Sequence, residues 1–156
     1  MSIAPRLKWF LDTHGVEYEL IPHAHTRSSL ETARQAHVPP ERLAKPVLLE
    51  DELGYVMAIV PASHRIDLRR LGAQLRRDLE LATEPEFPPL FADCEPGAIP
   101  PVGSPYHVPT VYDEALAGLS DVWFEAGDHE DVVHVNGTAF LHLLEGSLHG
   151  RFSHPA

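Results

Sequence analysis

Residues 47–80 place the strongest constraint on the fold, because they combine two strand patterns with an amphipathic helix pattern. Residues 47–50 and 55–60 are apolar and flank the polar segment 51–54, which predicts a β-hairpin. In residues 67–80, leucines recur at helical spacing along one side and arginines occupy the opposite side. A hairpin followed by such a helix predicts an α/β fold with the leucine side packed against the sheet. The leucines are Leu68, Leu71, Leu75 and Leu79, and the arginines are Arg69, Arg70, Arg76 and Arg77.

The rest of the chain predicts further helices and strands around this unit. Ser28 and Glu31 have the spacing of a capping box, which predicts a helix over 29–37. Residues 83–109 are rich in proline and lack periodicity, so they predict a long loop of the kind that is often functional. Further helices are predicted at 5–14, 41–44 and 139–145, the last capped within 136–138, and strands at 16–21, 108–112, 122–125 and 132–135.

These elements together predict a single domain. We expect a compact α/β domain over residues 1–146, with a mixed or mainly antiparallel central sheet flanked by helices, and a loose tail over 147–156. A chain of 156 residues is long enough for one domain with a core of its own.

The composition limits the compartment and the partners. No apolar run is long enough to span a bilayer, and the first residues lack the pattern of a signal peptide, so we expect a cytoplasmic protein without a membrane partner. The single cysteine, Cys94, excludes an intrachain disulfide and a cysteine-rich zinc site. The formal net charge of −11 argues against tight non-specific binding to nucleic acid, although a local basic surface is compatible with it.

Two short segments about fifty residues apart form the candidate site. Lys45 stands at the start of an apolar strand, where its compact cation could hold a phosphate or a hydroxyl. Residues 97–101 form a stiff loop in which Gly97 allows the backbone to approach a ligand closely. Taken alone, the lysine could be solvated and the loop a simple connection. Together they indicate a cation and a row of backbone amides facing a small polar ligand.

The order and spacing of these segments resemble the YbaK/prolyl-tRNA synthetase-associated domain family. Lys45 opens a strand as the lysine of that family does, and residues 97–101 fit its G-x-x-x-P loop. Residues 60–68 resemble its strand, proline and start of a helix, and Tyr112-Asp113 with residues 122–127 resemble its final strands. The resemblance covers roughly residues 5–145.

This resemblance implies an editing deacylase that hydrolyses the ester of mischarged aminoacyl-tRNA in trans. Lys45, His129 and the N–H groups of Gly97, Ala98 and Ile99 would then serve catalysis, the amides as donors to an oxyanion. The water would be activated by backbone groups and by a hydroxyl of the terminal ribose. His25, Thr26, Pro46 and Pro101 would contact the substrate, and the four arginines would contact phosphates of the acceptor stem. The partners implied are the acceptor end of the tRNA and an aminoacyl-tRNA synthetase.

Some alternatives stay open from the residues themselves. His129 could orient water or contact the α-amino group of the substrate, or it could simply be exposed. His23 and His25 have a spacing that can bind metal, but the sequence places no further ligand beside them, so we expect neither metal nor cofactor. Pro46 departs from the small polar residue that is common in the family, and it removes a backbone donor. With the acidic surface, it favours an alternative function, a non-catalytic module that binds aminoacyl-tRNA or a nucleotide.

Overall fold

The predicted hairpin forms the centre of an eight-stranded sheet. The computed structural model describes residues 3–26, 28–82, 90–95 and 97–156. Strands β2 (Leu43–Asp51) and β3 (Gly54–Pro61) pair antiparallel along their length, closed by a turn in which Asp51 Oδ1 accepts from the Leu53 N–H at 2.8 Å. This part of the fold follows directly from two apolar segments and a polar turn.

The sheet is mixed, as predicted. Its strand order is β1-β8-β7-β2-β3-β6-β9, with β5 beside the other end of β2. Three pairings are parallel, namely β2 with β7, β3 with β6 and β6 with β9, and the others are antiparallel. A separate antiparallel pair joins β4 to β10. The remaining strands are β1 (Glu19–Pro22), β4 (His64–Ile66), β5 (Glu80–Leu81), β6 (Thr110–Asp113), β7 (Asp121–Glu125), β8 (Asp131–Asn136), β9 (Leu148–Gly150) and β10 (Ser153–Pro155).

Side-chain caps fix the starts of three helices. The Ser28 hydroxyl accepts from the Glu31 N–H at 3.1 Å, which confirms the cap predicted from the sequence. Asp67 and Asn136 cap two further helices in the same way. The helices whose bounds lie within the described residues are α1 (Pro5–Thr13), α2 (Ser29–Gln35), α3 (Leu68–Leu75) and α4 (Gly137–Leu143), with short 3-10 helices at Pro40–Arg42, Ser104–Tyr106 and Glu114–Leu116. In the described part of the chain, none of the helices combines the length and the apolar character needed to cross a bilayer.

The two faces of the sheet bury different apolar clusters, because side chains alternate along each strand. One face carries Leu48 and Met57 and packs with α1 and α4. The opposite face carries Leu49 and Val60 and packs with Leu71 of α3. The structure is therefore a compact α/β domain with a mixed central sheet flanked by helices, which confirms the predicted fold class.

Two elements in the N-terminal part of the chain differ from the prediction. The strand predicted at 16–21 starts at Glu19, because the Val16 N–H donates to the Leu11 carbonyl oxygen at 3.2 Å and closes the end of α1. The helix predicted at 41–44 is replaced by the 3-10 helix, after which Leu43 already pairs with Trp123 of β7. A local hydrogen bond that closes α1 decides the first boundary, and a pairing with a strand distant in the sequence decides the second.

Two further predictions are corrected at α3 and at the C-terminus. The helix predicted at 67–80 ends at Leu75, because Arg76 adopts a left-handed conformation with φ 56°. Leu79 is buried although it lies beyond the helix. The segment predicted as a loose tail forms β9 and β10, and Phe152 between them is fully buried.

Candidate functional site

A cavity of about 250 Å³ lies beside the short contact between β2 and β7. These strands pair only at Leu43–Trp123 and Ala44–Phe124. The cavity is bordered by the next residues of β2 and by Glu125, the last residue of β7. Its wall is mostly apolar, so it suits a small ligand with few polar groups. The lining residues are Ser29, Pro46, Val47, Leu48, Met57, Leu81, Ala82, Phe91, Gly97, Ile99 and Glu125.

The predicted loop contributes two residues to this wall, Gly97 and Ile99. Gly97 has φ 82°, a conformation that favours glycine. The Ala98 N–H donates to the Glu95 carbonyl oxygen at 3.1 Å, and Ala98 is buried. The N–H groups of Gly97 and Ile99 have no acceptor among the described residues. Of the three amides predicted as donors, those of Gly97 and Ile99 therefore remain candidate donors to a ligand, and Pro101 is buried.

The structure places Pro46 and Lys45 on different faces of β2. Pro46 lines the cavity and pairs with Ile59. Lys45 pairs with Val60, which belongs to the cluster under α3, and it is not among the described residues that line the cavity. Burial, with the charge of Arg65 as a second cause, lowers the pKa of Lys45. Lys45 thus adjoins the cavity in sequence but presents its side chain to the opposite face.

His25 and His129 lie together, with their ring centroids 5.2 Å apart. His129 is buried and has φ 60°, in a turn that Asp128 holds by accepting from the backbone N–H groups of Glu130 and Asp131. His25 is exposed, and its Nε2 lies 3.5 Å from Glu95 Oε2. Within the described ranges, no group of three or more metal-ligand side chains surrounds these histidines.

Thr26 has a structural contact of its own. Its hydroxyl is fully buried and lies 2.6 Å from the hydroxyl of Thr32, which ties the segment before α2 to the helix. The described wall of the cavity includes Pro46 but none of the other residues that were predicted to bind the substrate.

Sequence reasoning missed Glu125. Its side chain is only 3% exposed, and neither carboxylate oxygen has a hydrogen-bond partner among the described residues. Burial raises its pKa to about 7, although the nearby Thr32 hydroxyl, which is hydrogen-bonded to Thr26, lowers it in part. The signal was present: an acidic residue ends the otherwise apolar run Val122-Trp123-Phe124.

The four arginines lie on the other side of the sheet from the cavity, because α3 packs on the face opposite to Met57 and Ile99. Arg77 forms a bidentate contact with Asp51, with Nε at 2.6 Å from Oδ2. Arg76 and Arg77 share a surface depression with five acidic residues, Glu50, Asp51, Glu52, Asp78 and Glu80. Arg69 and Arg70 are exposed and make no ion pair with another described residue.

Comparisons with known proteins identify the family and the fold. The family model for the aminoacyl-tRNA editing domain matches residues 23–143. The fold matches hypothetical protein APE2540 with a TM-score of 0.84 at 18% identity, over 96% of this chain and 99% of that one. It also matches a "putative trans-editing enzyme for prolyl tRNA synthetase" with a TM-score of 0.81 at 25% identity, over 98% and 99% of the two chains. No curated protein sequence matches significantly. The chain belongs to the aminoacyl-tRNA editing domain family.

Proposed function

We propose that this protein is a free-standing hydrolase that cleaves the ester of mischarged aminoacyl-tRNA in trans, in the cytoplasm. The observation that carries the proposal is the apolar cavity, into whose wall the loop brings Gly97 and Ile99, two residues whose backbone N–H groups have no acceptor among the described residues. Membership of the editing-domain family supports it, as does the likeness to a protein named for trans-editing with prolyl-tRNA synthetase.

The proposed reaction adds water to the acyl carbon and breaks its bond to the ribose oxygen. The oxygen of water stays on the released amino acid, and one of its protons ends on the ribose hydroxyl. The N–H groups of Gly97 and Ile99 stabilise the negative charge that develops on the carbonyl oxygen. His129 orients the water, and Lys45, whose side chain lies outside the cavity wall, holds a phosphate or hydroxyl of the terminal nucleotide where the nucleotide extends beyond the cavity.

Specificity in this proposal comes from the size of the cavity. A cavity of about 250 Å³ with apolar walls favours amino acids whose side chains are apolar and fit within that volume. Small apolar differences are weakly discriminated by one site, so a second site that sorts by size improves fidelity.

A deacylation panel tests the proposal. The substrates are tRNAs charged with correct and with incorrect amino acids, including tRNA for proline charged with smaller amino acids. We expect hydrolysis above the spontaneous rate for a subset of mischarged tRNAs and none for correctly charged ones. Spontaneous rates with every substrate would contradict a hydrolase.

The second candidate function is a binding module without turnover. It is favoured by Pro46, which lines the cavity but has no N–H to offer to a ligand. Binding of a non-hydrolysable aminoacyl-adenosine amide, together with spontaneous rates in the deacylation panel, would support this second function.

A further inference from the structure

Glu125 is an ionisable group that the fold buries. It lies at the end of β7, it is only 3% exposed, and it is one of the residues that line the apolar cavity. Both of its oxygens lack a hydrogen-bond partner among the described residues. The neighbouring Thr32 hydroxyl is hydrogen-bonded to Thr26 at 2.6 Å. Among the described residues that line the cavity, Glu125 is therefore the one ionisable group, and its carboxylate has no hydrogen-bond partner in the described part of the chain.

A buried carboxylate without partners is costly, because its desolvation is not compensated. A residue that only filled space at this position would be apolar, like its neighbours Phe124 and Ala126, which are fully buried. The fold thus bears a cost that a ligand with hydrogen-bond donors would remove.

The charge of Glu125 favours a cationic ligand over a neutral one. A hydroxyl group would leave the net negative charge in an apolar cavity, whereas an ammonium group compensates it and brings three N–H donors. His23 and His25 are close enough to act on Glu125 electrostatically, but neither is hydrogen-bonded to it. Every aminoacyl ester has such a cation, the α-ammonium group, on the carbon next to the acyl carbon.

The position of Glu125 agrees with that ligand atom. Gly97 and Ile99, the proposed donors to the ester carbonyl, line the same cavity as Glu125. Groups that bind the carbonyl oxygen and the amino group of one amino acid must border one cavity, since the two are separated by only three bonds. Of the two roles that the sequence indicated for His129, the contact with the α-amino group then belongs to Glu125, and His129 orients the water.

We propose that Glu125 binds the α-ammonium group of the acyl moiety and restricts the site to esters of amino acids with a free amino group. Peptidyl and other N-acylated esters, which lack this cation, would be rejected. The inference rests on the proposed function, because that function supplies the aminoacyl ligand.

Binding of two non-hydrolysable analogues tests the inference separately from turnover. The probes are 3′-alanylamino-3′-deoxyadenosine and its N-acetyl derivative, and calorimetry measures their affinity. We expect the wild type to bind the free amine at least tenfold more tightly than the acetylated probe. Glu125→Gln should abolish this preference, whereas the exposed control Glu52→Gln should keep it. Alanine has no polar side chain, so the two probes differ only at the α-amino group, and a preference caused by the bulk of the acetyl group would persist in Glu125→Gln.

Three results would overturn the inference. They are an unchanged preference in Glu125→Gln, equal losses on both probes, and no binding of either probe by the wild type. A second measurement needs no variant: the ¹³C resonance of the Glu125 carboxylate should shift with the free amine and not with the acetylated probe. If the preference holds while the deacylation panel shows no turnover, the hydrolase proposal fails and the inference stands.

Discussion

At Glu125, burial and ionisation oppose each other, and this predicts a pH dependence of stability. The folded-state pKa is about 7 against an ordinary value of 4.5, with burial as the main cause and Thr32, His23, Asp128 and His25 as further influences. Because the folded-state pKa is raised, the stabilisation that protonated Glu125 gives to the folded state is fully present below pH 4.5. This stabilisation is lost as the pH rises through 7. The loss amounts to about 3 kcal/mol at most. Glu125→Gln should therefore be more stable than the wild type at pH 8 and similar to it at pH 4.

Urea unfolding at several pH values measures this difference. His134 also changes stability with pH: burial alone would lower its pKa, but its contacts with Asp121 and Glu19 outweigh that and raise it. Because His134 is present in both proteins, its contribution cancels in the comparison. Parallel curves for wild type and Glu125→Gln between pH 4 and 8 would show that Glu125 is not desolvated.

Lys45 is the second residue whose role can be separated from stability. Lys45→Ala should reduce deacylation at least tenfold, a change of about 1.4 kcal/mol in the barrier, if its cation holds the terminal nucleotide. The chain has one other lysine, Lys8, which is exposed and paired with Asp12 on α1. Lys8→Ala is the matched control and should keep full activity. Equal rates for the two variants would show that Lys45 has no role in catalysis and only contributes to the sheet face that packs with α3.

Gly97 has a natural control in Gly118. Both have left-handed backbones, with φ 82° and 83°, so an alanine costs about 1–2 kcal/mol at either position. Only Gly97 lines the cavity, and Gly118 has open space around it. Gly97→Ala should therefore lose both stability and more than tenfold in kcat/KM, whereas Gly118→Ala should lose stability alone. Thermal melting and single-turnover deacylation measure the two effects, and equal activity in both variants would limit Gly97 to shaping the turn.

At the scale of elements, α3 tests whether tRNA reaches the face opposite the cavity. Arg69 and Arg70 are exposed on this helix, whereas Arg76 lies among acidic side chains. The double variant Arg69→Gln/Arg70→Gln should raise KM for aminoacyl-tRNA and reduce the slope of log K against log salt by about one for each phosphate that the protein no longer neutralises. Arg76→Gln, at the end of the same helix, should change neither. An unchanged salt slope in the double variant would leave these arginines as a solvated surface.

Elements defined by local chemistry could be predicted from the sequence, and those defined by distant contacts could not. The hairpin follows from two apolar segments and a turn, and the cap at Ser28 follows from a local hydrogen bond. The end of α3 depends on the left-handed Arg76, a conformation that the leucine pattern does not signal. At the site, the loop at Gly97 was visible as a motif. Glu125 was visible only as an acidic residue at the end of an apolar run, and the burial that makes it important depends on the fold.

At the scale of the whole molecule, the C-terminal residues complete the second face of the sheet. Strand β9 extends the central sheet beside β6, and β10 pairs with β4 ahead of α3. Asp113 joins the two parts: its Oδ2 accepts from the Phe152 N–H at 3.0 Å and from the Ser153 hydroxyl at 2.8 Å. Whether residues 1–146 form a domain without residues 147–156 therefore depends on how much the C-terminal residues stabilise the fold. Truncation measures that stabilisation.

Phe152 should be the main source of that stability. Its ring is fully buried with Val60 and Leu71, in the cluster under α3, so Phe152→Ala should cost about 3–5 kcal/mol of the free energy of unfolding. His154 is exposed two residues later on β10, and His154→Ala, the matched control, should cost little. Deleting residues 147–156 should cost at least as much as Phe152→Ala, since it also removes the hydrogen bonds to Asp113 and two strands. Denaturant unfolding measures all three, and a truncated protein as stable as the wild type would establish that residues 1–146 fold independently of this segment.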